Sequence, residues 1–305
     1  VRKHLITLWN TYSFFITYAK LDKFNPEDIK LDQINLTDID QWVLAKVNNF
    51  IKTSKKHYEN YKLYKLMKVS TEILDDISNW YVRRNRRRFW KSENDNDKLA
   101  AYYTLYNTIL VYIKIMSPVI PFVTEKIYQN LVVNINNHAA SSIHLTNFPH
   151  YNKKNENQHL IDDIDTVKHI VNLGRSVRNK ANLKIRQPLS DIKIFIPKGD
   201  VARIEKYNNQ ILEELNVKKI EYAKKENDLI SYFVKPNFNM INKNYSDDKS
   251  EIIAMLNNMS QIDILSLLRN GKSVSIKNGS IELSYEYFII DEIPLDGYCV
   301  SSNNH

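Results

Sequence analysis

The side chains best suited to chemistry in this sequence are cationic, and they cluster. Asn79-Trp80-Tyr81-Val82-Arg83-Arg84-Asn85-Arg86-Arg87-Arg88-Phe89-Trp90-Lys91 holds six basic residues in nine, together with two aromatic pairs. A guanidinium is a planar fork that fits phosphate oxygens, and aromatic rings suit unstacked bases. At helical spacing Trp80, Arg84, Arg87 and Lys91 share one side, while Arg83 and Arg86 point elsewhere. These residue types imply an RNA-facing surface made of Arg83, Arg84, Arg86, Arg87, Arg88, Trp90 and Lys91. A plainer alternative stays open: the aromatics are core, and some arginines pair with internal carboxylates. Asp76 and the acidic run Ser92–Asp97 are the nearest candidates. Large aromatics are usually packed, which assigns Trp80 and Tyr81 to the interior. So many arginines cannot all find buried partners, which leaves part of the set for RNA.

A second basic stretch combines Arg175, Arg178, Lys180, Lys184 and Arg186 around a helix end and a loop. It suits a clamp on a nucleic-acid backbone between two domains. Alternatively, Arg186-Gln187-Pro188 only sets the entry to the next strand, or the run is a solvated charged face. Other chemistry finds little support. The five glycines form no phosphate-binding loop, the eight histidines are scattered, and no His pair has zinc spacing. The single cysteine, Cys299, can form neither an internal disulfide nor a Cys-based metal cluster, which fits a reducing compartment. No catalytic residue and no metal site is expected.

The elements that must position these residues are mostly helical in the first half. Leu5, Leu8, Trp9, Tyr12, Phe15, Ile16 and Ala19 recur at spacings of three and four. A second helix starts at Asp38 and buries Ile39, Trp42, Val43, Val47 and Phe50. A third runs through Leu63, Leu66, Met67, Ser70, Leu74, Ile77 and Tyr81, with the arginine segment at its C-terminal end, where cations complement the helix dipole. A fourth carries Tyr102, Tyr103, Tyr106, Ile109, Leu110 and Ile113. Ser117-Pro118 stops it, and Pro121 opens a fifth that buries Phe122, Val123, Ile127 and Leu131. The sum is an antiparallel helical bundle. The helical period is lost from Asn134 to Asn157, a linker or surface excursion, and one more helix covers 162–179. Beyond it Ile192, Ile194 and Ile196 alternate as a strand does. A helix through Ile204 to Leu215 follows, then strands at Val217–Tyr222 and Ile230–Val234 and a helix near Glu251–Met259. A hairpin of Ser273–Ile276 with Ile281–Ile289 turns at Lys277-Asn278-Gly279. The fold class is therefore mainly α, with a smaller mixed α+β domain. The expected division is 1–150 for the bundle, 151–190 for a helical junction and 191–305 for the mixed domain.

The whole chain has 305 residues and a formal net charge of +8, with 43% hydrophobic and 26% charged residues. That composition is globular, and its basic balance favours an anionic partner. No apolar run is long enough for a membrane span. The start, Val1-Arg2-Lys3-His4, has no signal-peptide layout and reads as part of a longer chain.

The string WYVRRNRRRFW closely resembles the signature of the anticodon-binding helical domain of isoleucyl-tRNA synthetases. Asp40-Gln41-Trp42-Val43-Leu44 resembles that family's "D-x-W-I-L" helix start. Ile115 to Glu125, IMSPVIPFVTE, is similar to its Pro-Phe-Thr-Glu helix junction, and Phe148-Pro149 to the partner downstream. Gly174-Arg175-Ser176-Val177-Arg178 and Leu183 to Leu189, LKIRQPL, resemble its "R-x-x-R" and "IK-x-RQPL" elements. Lys235-Pro236-Asn237-Phe238 resembles its "KPN" element. The likeness covers most of the chain and is weakest after Asn242.

The resemblance implies an anticodon-binding fragment of a ligase that joins isoleucine to its tRNA through an isoleucyl-adenylate. The family's "HIGH" and "KMSKS" motifs are absent from the sequence. ATP with Mg, isoleucine and the editing step are therefore expected in a part outside this chain, with no cofactor held here. The lone Cys299 cannot build the Cys-based zinc module of the bacterial branch, so the chain resembles the branch of the eukaryotic cytosol and some bacteria. The expected partner is isoleucine tRNA, the expected state a monomer in the cytoplasm. Two rivals remain open. One is the valyl or leucyl synthetase, which shares the fold but lacks the arginine string. The other is a helical protein-interaction module whose arginines meet acidic partners.

Overall fold

The computed structural model describes residues 2–29, 34–90, 96–196, 201–225, 228–294 and 297–301. The chain forms two compact units, Val1–Asp165 and Thr166–His305. The change of unit falls inside a helix, α7 (Gln158–Lys180). The expected junction 151–190 therefore does not stand apart, and a helix interior carries none of the Pro, Gly and polar signals that mark a linker.

The first unit is a bundle of α1 (Arg2–Leu21), α2 (Asp38–Glu59), α3 (Leu63–Asp75), α4 (Arg83–Trp90), α5 (Asn96–Met116) and α6 (Pro121–Tyr128). Leu8, Tyr12, Phe15, Trp42, Val43, Phe50, Leu66, Leu105, Ile109 and Ile113 form its core, with Trp42 and Val43 fully enclosed. Trp9, expected on the buried stripe of α1, is 42% exposed. α1 runs antiparallel to α5, since His4 meets Tyr112 and Asp22 meets Lys98 at the other end. α2 and α3 are joined by a tight turn and run antiparallel. α2 and α5 meet near their C-terminal ends, with Phe50 stacked on Tyr112 at 5.7 Å and the Tyr58 hydroxyl on Ile115 O at 2.7 Å.

Local chemistry sets the helix ends. Thr37, not Asp38, caps α2: its backbone N–H and its hydroxyl both donate to Asp40 Oδ2, at 2.9 and 2.6 Å. That is a capping box, with the carboxylate at the third helical position. α5 stops before Pro118, and Pro121 opens α6. The buried side of α6 and the turn after it is Thr124, Ile127, Tyr128 and Leu131, whereas Phe122 is 87% exposed. Phe122 precedes Ile127 by five residues, roughly 140° around an α-helix, so the two cannot share a face. Residues 134–157 run over the surface, as expected, and are anchored at points. Glu125 Oε2 accepts from Ser142 Oγ and Ile143 N at 2.9 and 3.0 Å, and Ile143 is buried. Asn48 and Asn152 exchange side-chain to backbone hydrogen bonds at 2.8 and 2.9 Å.

Between α3 and α4 the chain does not stay α-helical. Asp76–Val82 is a π-helical turn, and five of its seven residues point inward: Asp76, Ile77, Trp80, Tyr81 and Val82. A π turn packs more residues into one revolution and rotates whatever follows it. It therefore sets which arginines of α4 face the bundle.

The second unit is mixed. β1 (Leu189–Ile194) and β2 (Val217–Tyr222) pair in parallel across a crossover of α8 (Val201–Glu205) and α9 (Asn208–Leu215). The single helix expected through Ile204 to Leu215 is thus two. β3 (Ile230–Pro236) pairs antiparallel with β6 (Phe288–Pro294), and β4 (Val274–Ile276) with β5 (Ile281–Leu283). The strand expected over Ile281–Ile289 is therefore split by a 3-10 turn at Tyr285–Tyr287, and its second half pairs elsewhere. α10 (Phe238–Asn244), α11 (Lys249–Asn258) and α12 (Gln261–Arg269) pack Ile241, Ile252, Leu256, Ile264 and Leu268 against Val234, Val274, Leu283 and Phe288.

Candidate nucleic-acid interface

The arginine segment sorts into buried and outward side chains. Arg88 is largely enclosed: its side chain is 11% exposed and that of Asp40 is 0% exposed. Arg88 Nη1 and Nη2 donate to Asp40 Oδ1 and Oδ2, each at 2.9 Å, a two-pronged pairing. Nη1 also donates to Asn85 Oδ1 and Nη2 to Asp97 O, both at 2.9 Å, and Nε lies 2.8 Å from Asp97 Oδ1. Tyr81, fully buried, adds its hydroxyl to Asp40 Oδ1 at 2.6 Å. Burial alone would raise the Asp40 carboxyl. The Arg88 hydrogen bonds and charge, with Thr37 and Tyr81, outweigh it and hold the group below the ordinary carboxylate range. Burial and the adjacent Asp40 charge push the Tyr81 hydroxyl far up. Arg88 thus leaves the RNA-facing set, because it ties the ends of α2, α4 and α5 together.

Arg86, Arg87 and Trp90 are exposed, Trp90 to 56%. Arg86 reaches over the Phe14 ring, 6.0 Å from its centroid. Arg83 and Arg84 are half-buried. Arg83 Nε donates to Asn79 O at 2.9 Å, and the Arg84 guanidinium sits 5.2 Å over Trp80, which is buried at 4% exposure. The expected side shared by Trp80, Arg84 and Arg87 holds only for the first two; Arg87 turns to solvent. Lys91 lies outside the described residues. Asp76 holds Lys46 at 3.1 Å, and Lys46 bridges on to Asp165 at 2.9 Å. Burial would lower the Lys46 ammonium, but the two carboxylates raise it above its ordinary range.

The second stretch repeats the pattern. Arg178 is 4% exposed. Its Nη1 donates to Lys184 O and Gln187 O at 3.1 and 3.0 Å, and its Nη2 to Leu215 O and Asn216 O at 2.6 and 3.1 Å. Burial lowers its pKa. Asn216, in the left-handed region with φ 48°, donates from Nδ2 to Ile185 O at 3.0 Å. Arg178 is therefore a brace, like Arg88, and not a surface cation. What it braces is the loop that displays Lys184 and Arg186, both exposed beside exposed Lys180. Arg175 is half-buried and pairs with Glu214.

Sequence reasoning gave Asp40 no role, although Thr37-x-x-Asp40 has the capping-box spacing that could have drawn attention to it. It also missed Asn216, for which only the backbone geometry speaks. Among the described residues no group of three or more His, Cys, Asp and Glu side chains could hold a metal ion. No described helix is long and apolar enough to cross a membrane.

A helical bundle that turns arginines and a tryptophan outward, on a helix pinned from inside, has the layout of a nucleic-acid-binding module. Comparison with known proteins places it more closely. Residues 40–194 match the anticodon-binding domain of tRNA ligases, and the chain belongs to that family. It is similar to isoleucine–tRNA ligases of Clostridium novyi (38% identity over 99% of this chain), Clostridium tetani (36% over 100%) and Treponema denticola (35% over 95%). It spans 29%, 29% and 27% of the lengths of these three relatives.

Proposed function

We propose that this chain is the tRNA-recognition part of an isoleucine–tRNA ligase and binds the anticodon stem-loop of isoleucine tRNA. The observation that carries the reading is the family match over a segment whose arginine helix turns Arg86, Arg87 and Trp90 outward from a fixed backbone. Its similarity to isoleucine–tRNA ligases along nearly its whole length favours isoleucine over valine or leucine. Arg83 and Arg84 extend the same surface, and Lys180, Lys184, Arg186 and Arg175 offer a second one. Guanidinium and ammonium contacts to phosphate position the RNA, and exposed rings take up splayed bases of the loop. The whole enzyme would activate isoleucine with ATP and Mg in a catalytic part outside this chain, as a monomer in the cytoplasm. This part contributes recognition without a reacting group of its own.

Binding of the chain to isoleucine tRNA, and to the same tRNA with its anticodon replaced, tests the reading. Affinity should fall steeply with salt, and anticodon replacement should weaken it further. Equal and feeble binding to both would reject the reading.

A further inference from the structure

At the turn between α2 and α3, seven consecutive residues, 59–65, are exposed. Two of them are tyrosines: Tyr61 at 93% and Tyr64 at 72% exposure. Tyr61 sits just past the end of α2 with φ 52°, and its N–H donates to Tyr58 O at 3.0 Å. That left-handed position normally falls to glycine or asparagine, because a Cβ there is strained. Yet the tyrosine ring is almost wholly in water, so the strain is not repaid by packing within the bundle. The next residue breaks a second local rule. Lys62 occupies the N-cap of α3, where Ser, Thr, Asp or Asn would usually accept a backbone N–H, and it makes no side-chain cap. A cation thus adds to the positive end of the helix dipole.

The charge around these rings is predominantly positive. Lys56, Lys62 and Lys65 are exposed here, and the Lys65 ammonium lies 5.9 Å over the Tyr64 ring. His57 at the same turn is held below its ordinary pKa, first by partial burial and then by Lys65, Lys56 and Lys62. Glu59 is the acid within this stretch, and it lies 4.0 Å from Lys55. Residues that break local rules without gain in the free chain mark places where a partner supplies the gain.

We infer that the α2–α3 turn is a second RNA contact, where Tyr61 and Tyr64 stack on unpaired nucleotides and Lys56, Lys62 and Lys65 hold their phosphates. Aromatic faces among cations are the means by which proteins bind single-stranded nucleic acid without strict sequence preference. Exposed tyrosines also anchor protein contacts, so an acidic protein is the rival occupant, and loss of single-strand affinity in the tyrosine variants is what separates the two. The turn and the arginine segment stand at opposite ends of α3, the π turn and α4, roughly 40 Å of helix at about 1.5 Å per residue. They therefore touch different nucleotides of one RNA. The inference rests on the proposed tRNA-binding function.

The test uses the whole 305-residue chain, isoleucine tRNA, a single-stranded RNA oligonucleotide and a blunt RNA duplex. Tyr61→Gly should raise the thermal midpoint by a few degrees, since it relieves the left-handed strain, and should weaken binding to tRNA. Tyr61→Gly with Tyr64→Ala should lower affinity for tRNA and for the single strand roughly tenfold or more, the usual loss when stacked rings are removed. Duplex binding should be unchanged. Unchanged tRNA affinity in the double variant, with affinity still lost in Arg87→Ala, overturns the stacking site and leaves the wider reading intact. Equal loss on single strand and duplex also overturns it. Absence of tRNA binding by the unaltered chain rejects both.

Discussion

The segment Arg83–Trp90 and the stretch Arg175–Arg186 are built alike: one buried arginine braces a backbone from which other cations point outward. They differ in what receives the buried charge. Arg88 meets the carboxylate of Asp40, with Asp97 beside it, so the pair is neutral within the bundle. Arg178 meets four backbone carbonyls, so its positive charge is solvated by dipoles alone. The first brace depends on a group that titrates, whereas the second does not. An arginine-rich string therefore reports charge, while the partner of each arginine decides whether it holds the fold or stays available at the surface.

The comparison breaks first at Asp40. Asp40→Ala or Arg88→Ala leaves a buried charge without its partner and should cost about 3–5 kcal/mol. Chemical denaturation would show it as a fall in midpoint at constant slope. Arg178→Ala should cost about 2–3 kcal/mol, because four carbonyls lose charged donors but some gain water. Arg178→Lys should recover little, since one ammonium cannot fork to carbonyls on both sides.

Acid separates the two braces next. The Asp40 carboxyl titrates lower in the folded chain than in the unfolded one, so it takes up its proton more readily after unfolding. Its contribution is complete above the ordinary carboxylate value near pH 4 and is lost as pH falls through the lowered folded value. A pH series of thermal midpoints should show this loss for the unaltered chain and a flatter profile for Asp40→Asn. Arg178→Ala should keep the acid-dependent profile, since its partners do not ionise.

A smaller effect is expected at Gly174 in α7. A Cβ there would stand 2.5 Å from Leu215 Cδ1, a side chain that is 1% exposed. Gly174→Ala should cost about 1–3 kcal/mol by overpacking α7 against α9. No change in stability would mean that Leu215 can swing aside.

Much of the bundle was legible because its helices are long and their apolar spacing regular. The strands expected at Val217–Tyr222 and Ile230–Val234, the second observed as Ile230–Pro236, were legible from their short β-prone runs. Other features have no local signal. The π turn at Asp76–Val82 alters the helical period without any breaker residue, so the orientation of α4 relative to α3 has no local signal. Asp40 lies 48 residues from Arg88, and the partners of Arg178 are carbonyls, which every residue carries. The Tyr285–Tyr287 turn interrupts an alternating stretch that contains neither Gly nor Pro. Phe122 was misplaced for a simpler reason, since a spacing of five does not keep one face of an α-helix.

We propose that the enclosed arginines hold the fold while the outward ones bind RNA. That division of labour is tested most directly by tRNA affinity across a salt series for the unaltered chain and for Arg86→Ala with Arg87→Ala, with thermal midpoints taken in parallel. The expected result is weaker binding and a salt slope shallower by about 0.7–0.9 for each phosphate that is no longer neutralised, with the midpoint unmoved. An unchanged slope, or a midpoint that falls as it does for Arg88→Ala, would contradict it.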